Sequence, residues 1–200
     1  MPKKFTVLAT LLATMFVLAA CGNDDTSAPE TQSASSGEEF NDADVEFATD
    51  MIQHHAQALS MVDLTLGRQL APEVEQLAED IRMAQGPEIE QMTDWLTDWD
   101  QPIPETVRDH ANAHGDGEME MDADMPGMMS TEQMAELEAA KGAEFELMWL
   151  EMMIEHHEGA IEMAEIEQAE GHHAGAIDLA ENVESAQQDE IATMETLLGF

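Results

Sequence analysis

The sequence has no tyrosine, one cysteine, and six lysines and arginines against 44 aspartates and glutamates. A lone cysteine, Cys21, excludes a disulfide framework within the chain. The shortage of basic residues leaves a formal net charge of -38, which excludes a surface for nucleic acid or anionic lipid and leaves one that attracts cations. A solubility or salt-tolerance surface would carry the same charge with no partner at all. Aromatics are only 4% of the chain, so aliphatic side chains and 17 methionines must fill the core. Catalytic signatures are also missing. There is no Gly-x-Ser-x-Gly elbow, phosphate loop or dinucleotide fingerprint. His157-Glu158-Gly159 lacks the second histidine of a zinc-peptidase His-Glu-x-x-His motif. No enzymatic activity is expected.

Long apolar runs are scarce too. The one candidate, Phe5 to Ala20, is short for a bilayer span and follows the basic pair Lys3-Lys4. It ends in Leu18-Ala19-Ala20-Cys21, which resembles the lipobox of bacterial lipoproteins. That resemblance implies that residues 1–20 are a signal peptide and that Cys21 is acylated. The protein would then sit outside the cytoplasm, in the periplasm or at the cell surface, held to the membrane through Cys21. An ordinary secretory signal with a free cysteine is the alternative. Residues 21–40 are almost devoid of apolar side chains and read as a disordered tether.

What is present is a block that occurs twice. Met51-Ile52-Gln53-His54-His55-Ala56-Gln57-Ala58-Leu59-Ser60-Met61 returns as Met153-Ile154-Glu155-His156-His157-Glu158-Gly159-Ala160-Ile161-Glu162-Met163. At the same offset, without a gap, Leu77-Ala78-Glu79 falls on Leu179-Ala180-Glu181, Gln85 on Gln187, Glu88-Ile89 on Glu190-Ile191 and Met92 on Met194. Residues 47–96 and 149–198 therefore read as two copies of one helical hairpin. The remainder of 41–200 includes a Met- and His-rich linker, 100–129, and a short helix opened by a Ser130–Gln133 capping box. Proline within the Gly86-Pro87 pair should kink the second helix rather than break it, because the second copy carries Gln188-Asp189 there with no change of register. The expected fold is all-α: a four-helix bundle of two duplicated hairpins with a long crossover, a connectivity that resembles ferritin.

At helical periodicity both histidine pairs fall on the core-facing stripe, with Met51 one turn before His54 and His55, and Met153 likewise before His156 and His157. A pseudo-twofold axis would bring the two blocks face to face. Imidazole nitrogen with thioether sulfur selects soft cations such as Cu(I) or Ag(I) over hard ones. Metal ligands are therefore expected at His54, His55, His156 and His157, then at Met51 and Met153. The inward polar residues common to both copies, Gln85, Glu88, Gln187 and Glu190, are expected to orient the imidazoles through their other nitrogen. A di-iron carboxylate centre would need Glu three residues before a histidine, where Met51 and Met153 stand. Direct ligation by Glu88 and Glu190, as in a ferritin-like metal oxidase, stays open, and so does iron or zinc as the ion. Buried histidines bonded to the Gln/Glu layer with no metal, in an interaction module, are the remaining alternative. Taken singly, Met61, Met92, Met163 and Met194 read as core filling. In the linker His110, His114, Met119, Met121, Met125, Met128 and Met129 have no evident core to fill and form a possible secondary metal loop. His172-His173 reads as a solvated turn.

The Met-Ile-x-His-His blocks, with Gln85, Glu88-Ile89, Met92, Trp95-Leu96 and Met125-Pro126-Gly127-Met128-Met129, resemble the bacterial domain-of-unknown-function family 305 over about residues 40–200. The resemblance implies a ferritin-like bundle. Its CopM-like members are copper-binding periplasmic or secreted proteins linked to copper resistance, which implies copper sequestration or tolerance here and a copper donor or acceptor protein as partner. Gly86-Pro87 departs from the family pattern, so distortion near Glu88 is expected.

Overall fold

The computed structural model describes residues 30–111 and 125–200, with backbone alone at residues 110 and 111. The signal peptide, Cys21, His114, Met119 and Met121 lie outside the described residues, as does the side chain of His110. No helix among the described residues is long and apolar enough to cross a membrane.

Among the described residues the fold is all-α apart from one small ribbon. Helix α1 spans Asp42–Asp63 and is opened by a capping box in which Asn41 and Asp44 exchange side-chain-to-backbone hydrogen bonds. Gly67, at φ 75°, closes the turn into α2, Pro72–Asp98, whose first residue is the proline expected at a helix start. Gly86-Pro87 does not interrupt it. After α3 (Val107–Ala111) the described chain resumes at Met125. Ser130 and Gln133 form the expected capping box of α4, Thr131–Ala139. Helices α5 (Ala143–Glu170) and α6 (Ala174–Leu198) complete the second hairpin.

Each hairpin packs internally, and the two meet chiefly where α1 lies against α5, with α2 against α6. The buried side chains fall into two apolar clusters. One contains Met51, Met92 and Met163, the other Met153, Met194 and Met61. The sequence repeat maps the first trio onto the second, member by member. Phe47 and Trp149, Ala58 and Ala160, and Leu77 and Leu179 exchange clusters in the same way. The duplication is therefore a pseudo-twofold axis that swaps the clusters. Because Met51 sits with Met163 and Met61 with Trp149, α1 and α5 run antiparallel.

Three expectations are corrected. The tether is not disordered to its end. Gln32–Ser33 (β1) and Glu39–Phe40 (β2) form an antiparallel ribbon, and Phe40 stacks on Trp99 with ring centroids 4.8 Å apart. A single aromatic at position 40 finds an apolar wall at the end of α2, which offsets the cost of ordering the segment. The linker methionines are not all without a core. Met129 is buried beside Leu137 and Trp149, and Met125 packs on the cluster around Met51 and Met163. Finally, His173 is not solvated. It is buried edge-on against Trp95 and Trp99, and its Nδ1 accepts the Ala176 N–H as the cap of α6, while its neighbour His172 is largely exposed.

Candidate metal centre

The seam between α1 and α5 holds His54, His55, His156 and His157, all fully buried between the two apolar clusters. The His54 and His156 rings overlie each other, centroids 3.7 Å apart and tilted by 38°. Met51 and Met153 are fully buried on opposite sides of this layer, one in each cluster, so the two blocks meet with their histidines in the middle and their first methionines outside.

Hydrogen bonds fix the imidazoles. His55 Nε2 lies 2.7 Å from Glu88 Oε2, and His157 Nε2 lies 2.7 Å from Glu190 Oε2. A carboxylate accepts, so in both rings Nε2–H donates, and in the neutral ring Nδ1 carries a bare lone pair. The Glu88 contact has the same length as its copy, so Gly86-Pro87 does not distort it. His54 Nε2 donates to the Pro126 carbonyl at 3.1 Å, which likewise leaves its Nδ1 as the acceptor. The Nδ1 atoms of all four histidines, and Nε2 of His156 as well, are buried with no hydrogen-bond partner. Gln85 and Gln187 are buried too, but their side-chain oxygens are unpartnered, and it is the glutamates that hold His55 and His157.

Protonation is suppressed in this layer. Burial, and then the neighbouring His55, push the His54 pKa down to about 3. Burial, and then His54 and His157, push His156 well below the ordinary value. Near neutral pH both rings are uncharged and present lone pairs rather than protons. Orphaned lone pairs in an apolar core cost on the order of 1–3 kcal/mol each, and a cation that accepts them removes that cost. Among the described residues no group of three or more His, Cys, Asp or Glu side chains is gathered around one position. A complete nitrogen or oxygen cage for a harder ion is therefore not preformed. A soft ion that needs few ligands fits these unprotonated imidazole nitrogens better.

The linker closes the layer. Gln57 binds the backbone of Met129 twice, donating to its carbonyl at 2.8 Å and accepting its N–H at 2.7 Å. This places Pro126 and Gly127 across α5 at Gly159, where an added Cβ would collide with the Pro126 carbonyl. A Cβ added at Gly127, whose φ is 72°, would stand 2.7 Å from the Glu155 carbonyl oxygen and 2.8 Å from that of His156. Gln57 and Gly159 were not singled out in the sequence, and Pro126 only as part of the Met125–Met129 segment. The available signal was that Gln57 is exchanged for Gly159 between the two blocks. Met125 and Met128 are half-buried on this segment, outside the histidine layer.

The model of DUF305, a domain of unknown function, matches residues 44–198. The chain belongs to the DUF305 family. Its fold is similar to a DUF305 protein of Streptomyces coelicolor at 31% identity and a TM-score of 0.67, covering 78% of this chain and 91% of that one. A DUF305 fragment from Deinococcus radiodurans matches at 31% identity and the same TM-score, over 84% of this chain and 99% of the fragment. CopM in its Cu(II)-bound form matches at 27% identity and a TM-score of 0.59, over 77% and 94%. No curated protein matches at the sequence level. In this DUF305 chain the family match spans both histidine blocks, the closing Pro126–Met129 segment and both glutamates.

Proposed function

We propose that this chain is an extracytoplasmic copper-binding protein that holds Cu(I) in the buried histidine layer, for sequestration or tolerance. The observation that carries the reading is the set of four buried Nδ1 atoms without partners, two of them on rings pinned by Glu88 and Glu190. A carboxylate behind an imidazole orients it and raises its basicity toward a metal. Neutral His54 and His156 need lose no proton before binding near pH 7. Thioethers at Met51 and Met153 bias the site toward Cu(I) over Cu(II) or zinc. Structures of CopM with Cu(II) and with Cu(I) bound, at 27% and 25% identity, support copper as the ion. The Streptomyces relative, a secreted-protein candidate, supports a place outside the cytoplasm. Acylation at Cys21 would tether the protein to the membrane, and a copper donor or acceptor protein would exchange the ion with it. The function is binding rather than turnover.

The test is an anaerobic Cu(I) competition titration on the full chain. It is run beside a variant with His54, His55, His156 and His157 replaced by Asn, and a second with His110, His114, Met119 and Met121 replaced. Loss of tight binding in the first variant alone is the expected result. Loss in the second alone would move the site to the linker and overturn this assignment.

A further inference from the structure

Two approaches to the histidine layer are filled. Across the α1–α5 face lies the Pro126–Met129 segment, fixed to Gln57 by two hydrogen bonds. Opposite lies the seam between α2 and α6, the helices that carry Glu88 and Glu190. The pseudo-twofold axis gives this seam two related ends, one beside each glutamate. The glutamates themselves are alike, 20% and 17% exposed, but their surroundings differ. At the Glu88 end Trp95 and His173 pack edge to face, and a Cβ added at Gly175 would meet them at 3.2 and 2.9 Å. The repeat puts Leu197 and Ala71 in place of those two rings at the other end. There, between the start of α2 and the end of α6, a groove of about 550 Å³ opens. Its lining includes Glu73, Asp80, Asp189 and Glu190, and no lysine or arginine. At the Glu88 end the repeat substitutes Gly175, Asn182 and Pro87 for the first three and Asp178 for Gln76, so Glu88 and Asp178 are its only carboxylates at these positions. Glu190 spans from the groove to the buried ring of His157, whose Nδ1 has no partner.

We propose that the α2–α6 groove is the passage by which a cation reaches and leaves the histidine layer, with Glu190 as the residue that meets it at the inner end. A cleft lined by one sign of charge raises the local concentration of counter-ions and the rate of encounter. The groove attracts without holding, since among the described residues no three such groups are gathered around one position. Entry is therefore one-sided in a layer whose ligands are paired. The duplication supplies the donors, and the divergence of the two copies at the seam supplies the direction. The proposal rests on the copper reading for its cargo and adds to it the route.

The test is kinetic. Cu(I) kept in solution by acetonitrile is mixed anaerobically with the full chain by stopped flow, and release is timed with a chromogenic Cu(I) chelator. Glu73→Gln combined with Asp80→Asn and Asp189→Asn should slow uptake about tenfold at low salt, and the difference should shrink at high salt. Neutralising three exposed carboxylates on α5, Glu144, Glu151 and Glu165, should slow it far less. Thr193→Trp, at the exposed rim of the groove, should slow uptake and release by the same factor and leave affinity unchanged, because a passage is not part of the bound state. Gln91→Trp, the equivalent change at the Glu88 end, should alter neither rate. A loss of stability would not produce that pairing of equal rate changes with constant affinity. Equal slowing by the two triple variants, or rates indifferent to Thr193→Trp, would overturn the passage. With binding still dependent on the histidines, that failure leaves the copper reading standing. No uptake by the intact chain, or uptake that survives replacement of the four histidines, overturns both.

Discussion

His54 and His156, one from each copy of the repeat, overlie each other at 3.7 Å across the α1–α5 seam, and neither ring is charged near neutral pH. Two charged imidazolium rings could not occupy that arrangement in an apolar core. Neutrality and burial together turn a repeated sequence block into a pair of electron donors.

His156 has two buried nitrogens with no well-formed hydrogen bond, its one polar neighbour being the His54 backbone. His156→Leu should therefore leave the metal-free protein as stable as before or about 1–2 kcal/mol more stable, since it removes unpaired polar atoms. The same change should weaken Cu(I) binding. Urea denaturation beside a competition titration checks both. A loss of several kcal/mol with binding intact would mean the ring is held for packing.

Glu88 and Glu190 make equivalent contacts with His55 and His157. Glu88→Ala and Glu190→Ala should each lower Cu(I) affinity about 10–100-fold, by similar factors, while circular dichroism shows the helices intact. Unequal effects would show that the two halves of the layer bind differently.

Gly159 lies under the Pro126 carbonyl, with no room for a Cβ. Gly159→Ala should force residues 126–129 outward and loosen the two Gln57–Met129 hydrogen bonds. Overpacking of this kind costs about 1–3 kcal/mol. Gly86→Ala is the control, because nothing lies within 4 Å of its added Cβ. Thermal unfolding of the pair should show a drop for Gly159→Ala and no drop for the control.

Two opposed slopes should shape the stability of the metal-free protein against pH. Burial, and then the adjacent Asp44, push the Glu167 pKa up to about 9 from 4.5. The unfolded chain sheds that proton first, so stability from this group is full below about pH 4.5 and is lost as pH rises toward 9. His54 runs the other way. Its pKa falls from 6.5 to about 3, so the unfolded chain gains a proton first, and stability is lost as pH drops from 6.5 toward 3. Each slope is limited to about 1.4 kcal/mol per pH unit per group. Denaturant midpoints measured from pH 4 to 9 should form a dome, and Glu167→Gln should flatten its alkaline side. An unchanged alkaline side in that variant would show that Glu167 ionises in the folded protein as freely as in the unfolded chain.

Much of this molecule was legible because it was written twice. Periodicity put the histidines on the core stripe, and the constant offset paired Met51 with Met153 and Glu88 with Glu190. The Ser130–Gln133 cap was readable from four adjacent residues, because its partners are local. Residues whose role depends on distant partners were not readable. Phe40 looked like the end of a tether until Trp99 supplied a stacking face. His173 looked solvated until Trp95 and Trp99 closed over it. Met129 looked like loose linker until Gln57 took hold of its backbone.

The sequence by itself determined the all-α class, the two hairpins and the residues that line their inner faces, because helical spacing and duplication are properties of the chain alone. Only the tertiary structure decided that His54 meets His156, that the glutamates rather than the glutamines hold the rings, and that Pro126 closes the layer. It alone also left a groove beside Glu190 and filled its counterpart with Trp95 and His173. Those relationships depend on how α1 lies on α5 and where the crossover returns. Both are set by packing between segments far apart in the chain, to which local periodicity is blind.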